Sequence, residues 1–145
     1  MEKLQITSGS PYEDSVGFCR AIRIGNVVEV AGTATIKDGK TLDGTIYEQT
    51  ILCLEIIQKA LEDAGSSLDH VIRTRMYVTD VTQWEEVGKA HGKFFGKIKP
   101  VSTMVEVKGL IDPKMMVEIE ALAIVPEAWK VIFNQAPLDK SSNKG

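Results

Sequence analysis

The 145-residue chain is 43% hydrophobic and carries 17 Lys and Arg against 20 Asp and Glu, a net charge of −3. That is enough apolar content for one domain with its own core. The near balance of charge argues against a basic face built to grip nucleic acid.

The opening "MEKLQITSGSPYED" has no hydrophobic signal core, and no later run reaches membrane-spanning length. A cytoplasmic protein is therefore expected, with no membrane partner. The two cysteines, Cys19 and Cys53, are far apart and form no CxxC pair. Neither a zinc site nor a disulfide framework is expected, and both thiols read as small core fillers. Residues 1–16 are read as an extension, 17–125 as the domain, and 126–145 as a tail with disordered last residues.

"AIRIGNVVEVAGTATI" (21–36) holds two β-rich runs broken at Gly25-Asn26 and predicts a hairpin. Asp38-Gly39 and Asp43-Gly44 mark a loop. Thr45 and Glu48 have capping-box spacing, each able to bond the other's backbone N–H. They open a helix whose apolar positions run through Cys53, Ile57 and Leu61, with Gly65 as its stop. "VIRTRMYVTD" (71–80) predicts a strand. Thr82 and Glu85 repeat the capping-box spacing before a second helix, with Trp84, Val87, His91 and Phe94 on one face and Gly96 at its end. Strands at 102–107 and 116–125 follow. The order is β-β-α-β-α-β-β, an α+β domain with two helices on one face of a sheet. Both faces of the last strands carry apolar residues, so self-association to cover the open face is expected.

No P-loop, GxGxxG, HExxH or GxSxG stretch occurs. What remains is polar residues on strand faces. Glu118 and Glu120 share one face of the last strand by alternation, with Glu106 a candidate for the same face. A solvated sheet face is the ordinary reading, whereas partial burial would make one of them a general base. Arg73, Arg75 and Tyr77 share a face of their strand, either solvated and paired with the glutamates or offering a guanidinium fork for a carboxylate. Arg20 and Arg23 face opposite ways. His91, on an apolar helix stripe, reads more readily as a packed histidine than a catalytic one.

"RIGNVVEVAG", "LEDAGSSLDHVIRTRMYVTD", "FFGKIKPVSTMVEV" and "VEIEALAIV" together resemble the reactive-intermediate deaminase A (RidA) family, also known as the YjgF or endoribonuclease L-PSP family. The resemblance runs from about Gly17 to Val125. It implies a chorismate-mutase-like fold with a mixed sheet, a homotrimer with clefts between subunits, and hydrolysis of enamines and imines derived from amino acids without metal or organic cofactor. In the family, an arginine in a Pro-Ala-Arg-Ser segment holds the substrate carboxylate. This chain has Pro100-Val101-Ser102-Thr103 instead. The family's cleft tyrosine matches Phe18, the serine before its glycine matches Ala31, the glycine is kept as Gly32, and a helix asparagine matches Gly88. The glutamate that positions the attacking water matches Glu118.

A serine at 102 can hydrogen-bond a carboxylate but cannot neutralise it, a loss of roughly 1.5–3 kcal/mol. Arg75 and Arg20 are the candidates to restore the charge. The expected site is thus Glu118 as catalytic residue, with Phe18, Arg20, Gly32, Arg75, Ser102 and Thr103 binding the ligand. Backbone N–H groups near Gly32 and Thr103 would receive developing charge. The expected ligand is an imine, an enamine or a small carboxylate, with a 2-aminomuconate-type deaminase as one concrete case. The alternative is a non-catalytic metabolite-binding trimer. The family's ribonuclease and translation-inhibitor label fits least, given the net charge and the lack of an aromatic-basic stripe.

Overall fold

A computed structural model describes residues 2–127. The expected tail from 128 onward lies outside the described residues. Six strands form one sheet: β1 (Lys3–Ile6), β2 (Ala21–Ile24), β3 (Val27–Thr33), β6 (Val71–Val78), β7 (Val101–Glu106) and β8 (Val117–Ile124), in the order β1-β2-β3-β8-β6-β7. Only β6 and β7 run parallel, so the sheet is mixed. Two short strands, β4 (Ile36–Lys37) and β5 (Lys40–Thr41), form a separate ribbon. The helices α1 (Ile46–Asp63) and α2 (Trp84–Phe95) lie on one sheet face.

The expected order is present, with two additions: a strand at its start and the β4–β5 ribbon within the stretch read as a loop. Residues 3–6, inside the segment read as an extension, pair antiparallel with β2 and lengthen the sheet. The hairpin turns at Gly25-Asn26 as its sequence predicts.

Helix α1 begins where the Thr45 side chain accepts the Glu48 N–H at 3.1 Å. The reciprocal half of the capping box differs: the Glu48 carboxylate takes the Thr45 hydroxyl at 3.2 Å. At the other end Ser66 N–H bonds Leu61 O and Gly65 N–H bonds Glu62 O, a Schellman closure with Gly65 at φ +75°.

The second capping box does not form. Asp80, not Thr82, caps this entry: its carboxylate accepts the Thr82 N–H and hydroxyl at 3.0 and 2.6 Å. Thr82 thus lies inside the short turn Val81–Gln83, and Gln83, which stands before α2, makes no side-chain cap bond. The buried stripe of α2 also shifts. Val87, Ala90 and Phe95 are buried, His91 and Phe94 are half-buried, and Trp84 is 56% exposed. Cβ atoms tilt toward a helix N-terminus, so the first residue of α2 reaches past the packed layer.

The core lies between sheet and helices. Val28, Val30, Met76, Val78, Val117, Ile119 and Ala123 meet Leu54, Ile57 and Leu61 of α1. Cys53 is a buried member of this core, and burial pushes its thiol far up, so it is no nucleophile. The opposite face leaves Ile24, Val27, Val101 and Val105 exposed.

Candidate functional site

The strand registers divide the expected site residues into two groups. The first gathers at a cavity of about 880 Å³ walled by the N-terminal segment, α1, the β4–β5 ribbon and the start of β8. Phe18, Arg20, Gly32 and Glu118 all line it, beside apolar Leu52, Ile56 and Met115. An apolar cavity with a few convergent polar groups has the make-up of a small-molecule site.

Gly32 sits where the β3–β8 register shifts, between Val30 and Thr33. A Cβ on it would lie 3.0 Å from Glu118 Oε2, so the bare Cα gives the carboxylate its place. Arg20 immediately precedes β2 and donates from Nη2 to the Gly32 carbonyl at 2.8 Å. Its guanidinium also lies 5.6 Å from the centre of the Phe18 ring, a cation–π arrangement. Arg20 is only 8% exposed, and its Nε has no hydrogen-bond partner. Among the described residues it makes no ion pair, although Glu13 and Glu118 both act on its charge.

Burial pushes the Glu118 carboxyl above its ordinary range, against the pull of Arg20, and neighbouring Glu120 adds to the rise. Burial likewise depresses the Arg20 guanidinium, opposed by Glu13 and Glu118. Glu118 is thus a carboxyl that holds its proton more tightly than usual, set beside a buried cation, the make-up of a candidate general acid–base group.

The second group stays on β6 and β7, outside the cavity lining. Thr103 of β7 and Arg73, Arg75 and Tyr77 of β6 alternate with residues of the helix-covered face, on the same side of the sheet as Glu118 and Glu120 of β8. Arg75 is exposed there, and it is Arg73 whose Nη2 reaches Thr103 Oγ1, at 2.9 Å. Tyr77 donates its hydroxyl to Glu120, which raises its pKa. Ser102 points the other way, toward the helices. It pairs with Thr74, and Thr74 Oγ1 lies 2.8 Å from Ser102 Oγ. Glu106 does not share the Glu118 face: it pairs with buried Val78 in parallel register and its carboxylate accepts the Val81 N–H at 3.1 Å. Parallel partners in register point to the same side.

Two contributors escaped sequence reasoning. Glu13 is buried near Arg20 and accepts the Ser8 N–H at 3.2 Å and the Ser8 hydroxyl. Its only local signal is a charged residue within a polar segment. His91 bonds Thr74 through Nε2 at 2.9 Å, a link across elements that no local spacing encodes. Among the described residues no group of three or more His, Cys, Asp and Glu side chains converges as a metal site. No helix there is long and apolar enough to cross a membrane.

Comparison with known proteins bears on the same stretch of chain. The family model described as Endoribonuclease L-PSP matches residues 10–125. An uncharacterized protein of Streptomyces coelicolor is 37% identical over 120 residues, covering 82% of this chain and 90% of that one. A RutC family protein of Pyrococcus abyssi is 36% identical over 109 residues, 73% of this chain and 84% of that one. A crystal structure from Mycobacterium tuberculosis, of the YjgF/YER057c/UK114 family, superposes with a TM-score of 0.79 at 48% identity, over 86% of this chain and all of that one (100%). The chain belongs to the endoribonuclease L-PSP family, the YjgF/RidA family.

Proposed function

We propose that the cavity binds a small metabolite carrying a carboxylate and an imine or enamine, and that Glu118 directs water onto its C=N carbon. The observation that carries this reading is the placement of the Glu118 carboxylate against Gly32, in one cavity with a buried arginine. Arg20 lines the cavity and makes no ion pair among the described residues, so its guanidinium can meet a ligand carboxylate without first breaking one. A hydrogen bond to a charged group contributes about 1.5–3 kcal/mol, which is what Ser102 cannot supply.

In this mechanism Glu118 takes a proton from water as its oxygen adds to the imine carbon. Addition to the protonated imine gives a neutral carbinolamine; the Glu118 proton passes to its nitrogen, the C–N bond breaks as the hydroxyl becomes the carbonyl, and the hydroxyl proton leaves with the ammonia as ammonium. The raised pKa makes the Glu118 carboxylate a stronger base than an ordinary glutamate, which favours taking the proton from water. Phe18 stacks against Arg20 and supplies apolar contact.

The exposed apolar residues of the open face support self-association, with a homotrimer as the expected state. Such an assembly would place Ser102 and Thr103 of one chain near the cavity of the next. Light scattering reads its mass directly.

The activity test generates 2-iminopropionate in situ and follows its loss against a semicarbazide trap. Wild type accelerates hydrolysis, and Glu118→Gln removes the acceleration while 2-oxo acids still bind. Saturable binding with no turnover in wild type would replace hydrolysis by the second reading, a metabolite-binding trimer. That reading draws on Ser102, an uncharged residue where the family carries its carboxylate-holding arginine.

A further inference from the structure

The segment between β1 and β2 brings Ser8, Ser10, Tyr12, Val16 and Phe18 to the cavity wall. Backbone bonds close it into a loop: Arg20 N–H donates to Ile6 O at 2.7 Å, and Phe18 N–H to Glu13 O at 3.0 Å. Inside the loop the Glu13 carboxylate accepts the Ser8 N–H at 3.2 Å and the Ser8 hydroxyl. Glu13 is 6% exposed, yet it does not line the cavity. A carboxylate is costly to bury without an opposite charge nearby, and Ser8 supplies none.

The opposite charge is Arg20, itself only 8% exposed. An arginine keeps its proton inside a protein, so a buried one needs counter-charge close by. Two carboxylates act on it, Glu13 more strongly than Glu118. Among the described residues neither closes an ion pair with it. Ser8 engages the Glu13 oxygens and holds them back. The guanidinium is thus compensated without being occupied: Nη2 meets the Gly32 carbonyl, and Nε stays unpartnered. Without the Glu13 charge, Glu118 is the carboxylate left to balance Arg20. An ion pair between them would spend the guanidinium on Glu118 and favour the ionised carboxylate.

We propose that Glu13 is a positioning residue: its tethered carboxylate balances Arg20 from outside the cavity lining, which leaves Arg20 open to a ligand carboxylate and Glu118 open to water. This role rests on the imine-hydrolase reading of the cavity. The groups acting on Arg20 are Glu13, Glu118 and the thiols of Cys53 and Cys19. Those coupled to Glu118 are Arg20, Glu120, the Tyr77 phenol and the Cys53 thiol. The ribbon and α1 add Lys37, Asp38 and Glu55 to the wall, with Lys59 paired to Asp63.

The test is an NMR titration of the full chain, isotope-labelled at the glutamate carboxyl carbons, with the Glu118 signal assigned by its loss in Glu118→Gln. Glu13→Gln keeps the shape and an oxygen for Ser8 but drops the charge. Arg20 then turns to Glu118, and the Glu118 midpoint falls relative to wild type. Calorimetry should show 2-oxobutyrate binding at least about fivefold more weakly, the low side of a coupling between sites, with 2-oxobutyramide unaffected. Glu13→Asp keeps the charge and should titrate near wild type. In an Arg20→Met background Glu13→Gln should leave the Glu118 midpoint in place, because the effect travels through Arg20. An unmoved midpoint in a Glu13→Gln chain that melts with wild type would overturn the proposal. So would a Glu13→Asp chain shifted as far as Glu13→Gln, a shift that persists without Arg20, or equal weakening for the acid and its amide. The titration needs no turnover. A wild type that hydrolyses no imine therefore removes the reaction at Glu118, while the midpoints still decide the role of Glu13.

Discussion

The Glu118 carboxylate rests against the bare Cα of Gly32, with Oε2 only 3.0 Å from where a Cβ would stand. At that distance a side chain on residue 32 and the present carboxylate position exclude one another. Gly32→Ala is therefore expected to fold, because the far end of Glu118 can swing away, but to misplace the catalytic oxygen. Small misplacements of reacting groups can cost up to about 100-fold in rate. Steady-state kinetics on the in situ imine should show kcat falling with an unchanged melting temperature. An unaltered kcat would remove Glu118 from the proposed chemistry.

Arg20 is the only guanidinium among the expected ligand-binding residues that lines the cavity. Arg20→Met keeps most of the apolar stem while deleting the charge and with it the cation–π arrangement on Phe18. Affinity for 2-oxo acids, read by calorimetry, should fall by about 10- to 100-fold, the equivalent of a charge-assisted hydrogen bond. Arg75→Met should leave it nearly unchanged within a single chain, since Arg75 is exposed on β6 outside the cavity lining.

The raised Glu118 pKa has a consequence for stability. The folded chain binds the Glu118 proton more tightly than the unfolded chain does. The stability tied to that proton is thus present at acid pH and lost as pH rises through the folded-state pKa. Glu118→Gln stays neutral throughout. Its melting temperature relative to wild type should rise between about pH 4 and about pH 8. A difference that is flat with pH would mean that burial does not disfavour the Glu118 charge.

Gly65 closes α1 at φ +75°, and a Cβ there would stand 2.9 Å from Arg23 Nη1. Arg23 Nη1 in turn donates to the Ala64 carbonyl at 2.8 Å, tying β2 to the helix end. Gly65→Ala meets both obstacles. Left-handed backbone alone costs an alanine about 1–2 kcal/mol, so urea unfolding should show at least that loss with an unchanged slope.

Much of this architecture is legible from local pattern. The hairpin at Gly25-Asn26, the Thr45 cap, the Gly65 stop and the shared face of Arg73, Arg75 and Tyr77 depend on residues within a few positions of one another, where periodicity and turn chemistry act. The second capping box failed for an equally local reason, since Asp80 takes the Thr82 N–H and hydroxyl and caps the short turn Val81–Gln83 in front of α2. Alternation along β8 put Glu118 and Glu120 on one face, and the family resemblance singled out Glu118 and Gly32.

What the sequence by itself determined is therefore the element order, the helix ends, the family and the relative faces within each strand. Which strands stand side by side was decided only in three dimensions, because hydrogen-bonded register joins residues far apart along the chain. That register set Glu118 over Gly32, placed Glu106 on the helix side, gave Thr103 to Arg73 rather than Arg75, and joined Ser102, Thr74 and His91 by hydrogen bonds. Burial was decided at the same level. A glutamate on a strand is an ordinary solvated acid until neighbouring elements remove its water, and only the packed fold shows that Glu118 has lost part of it.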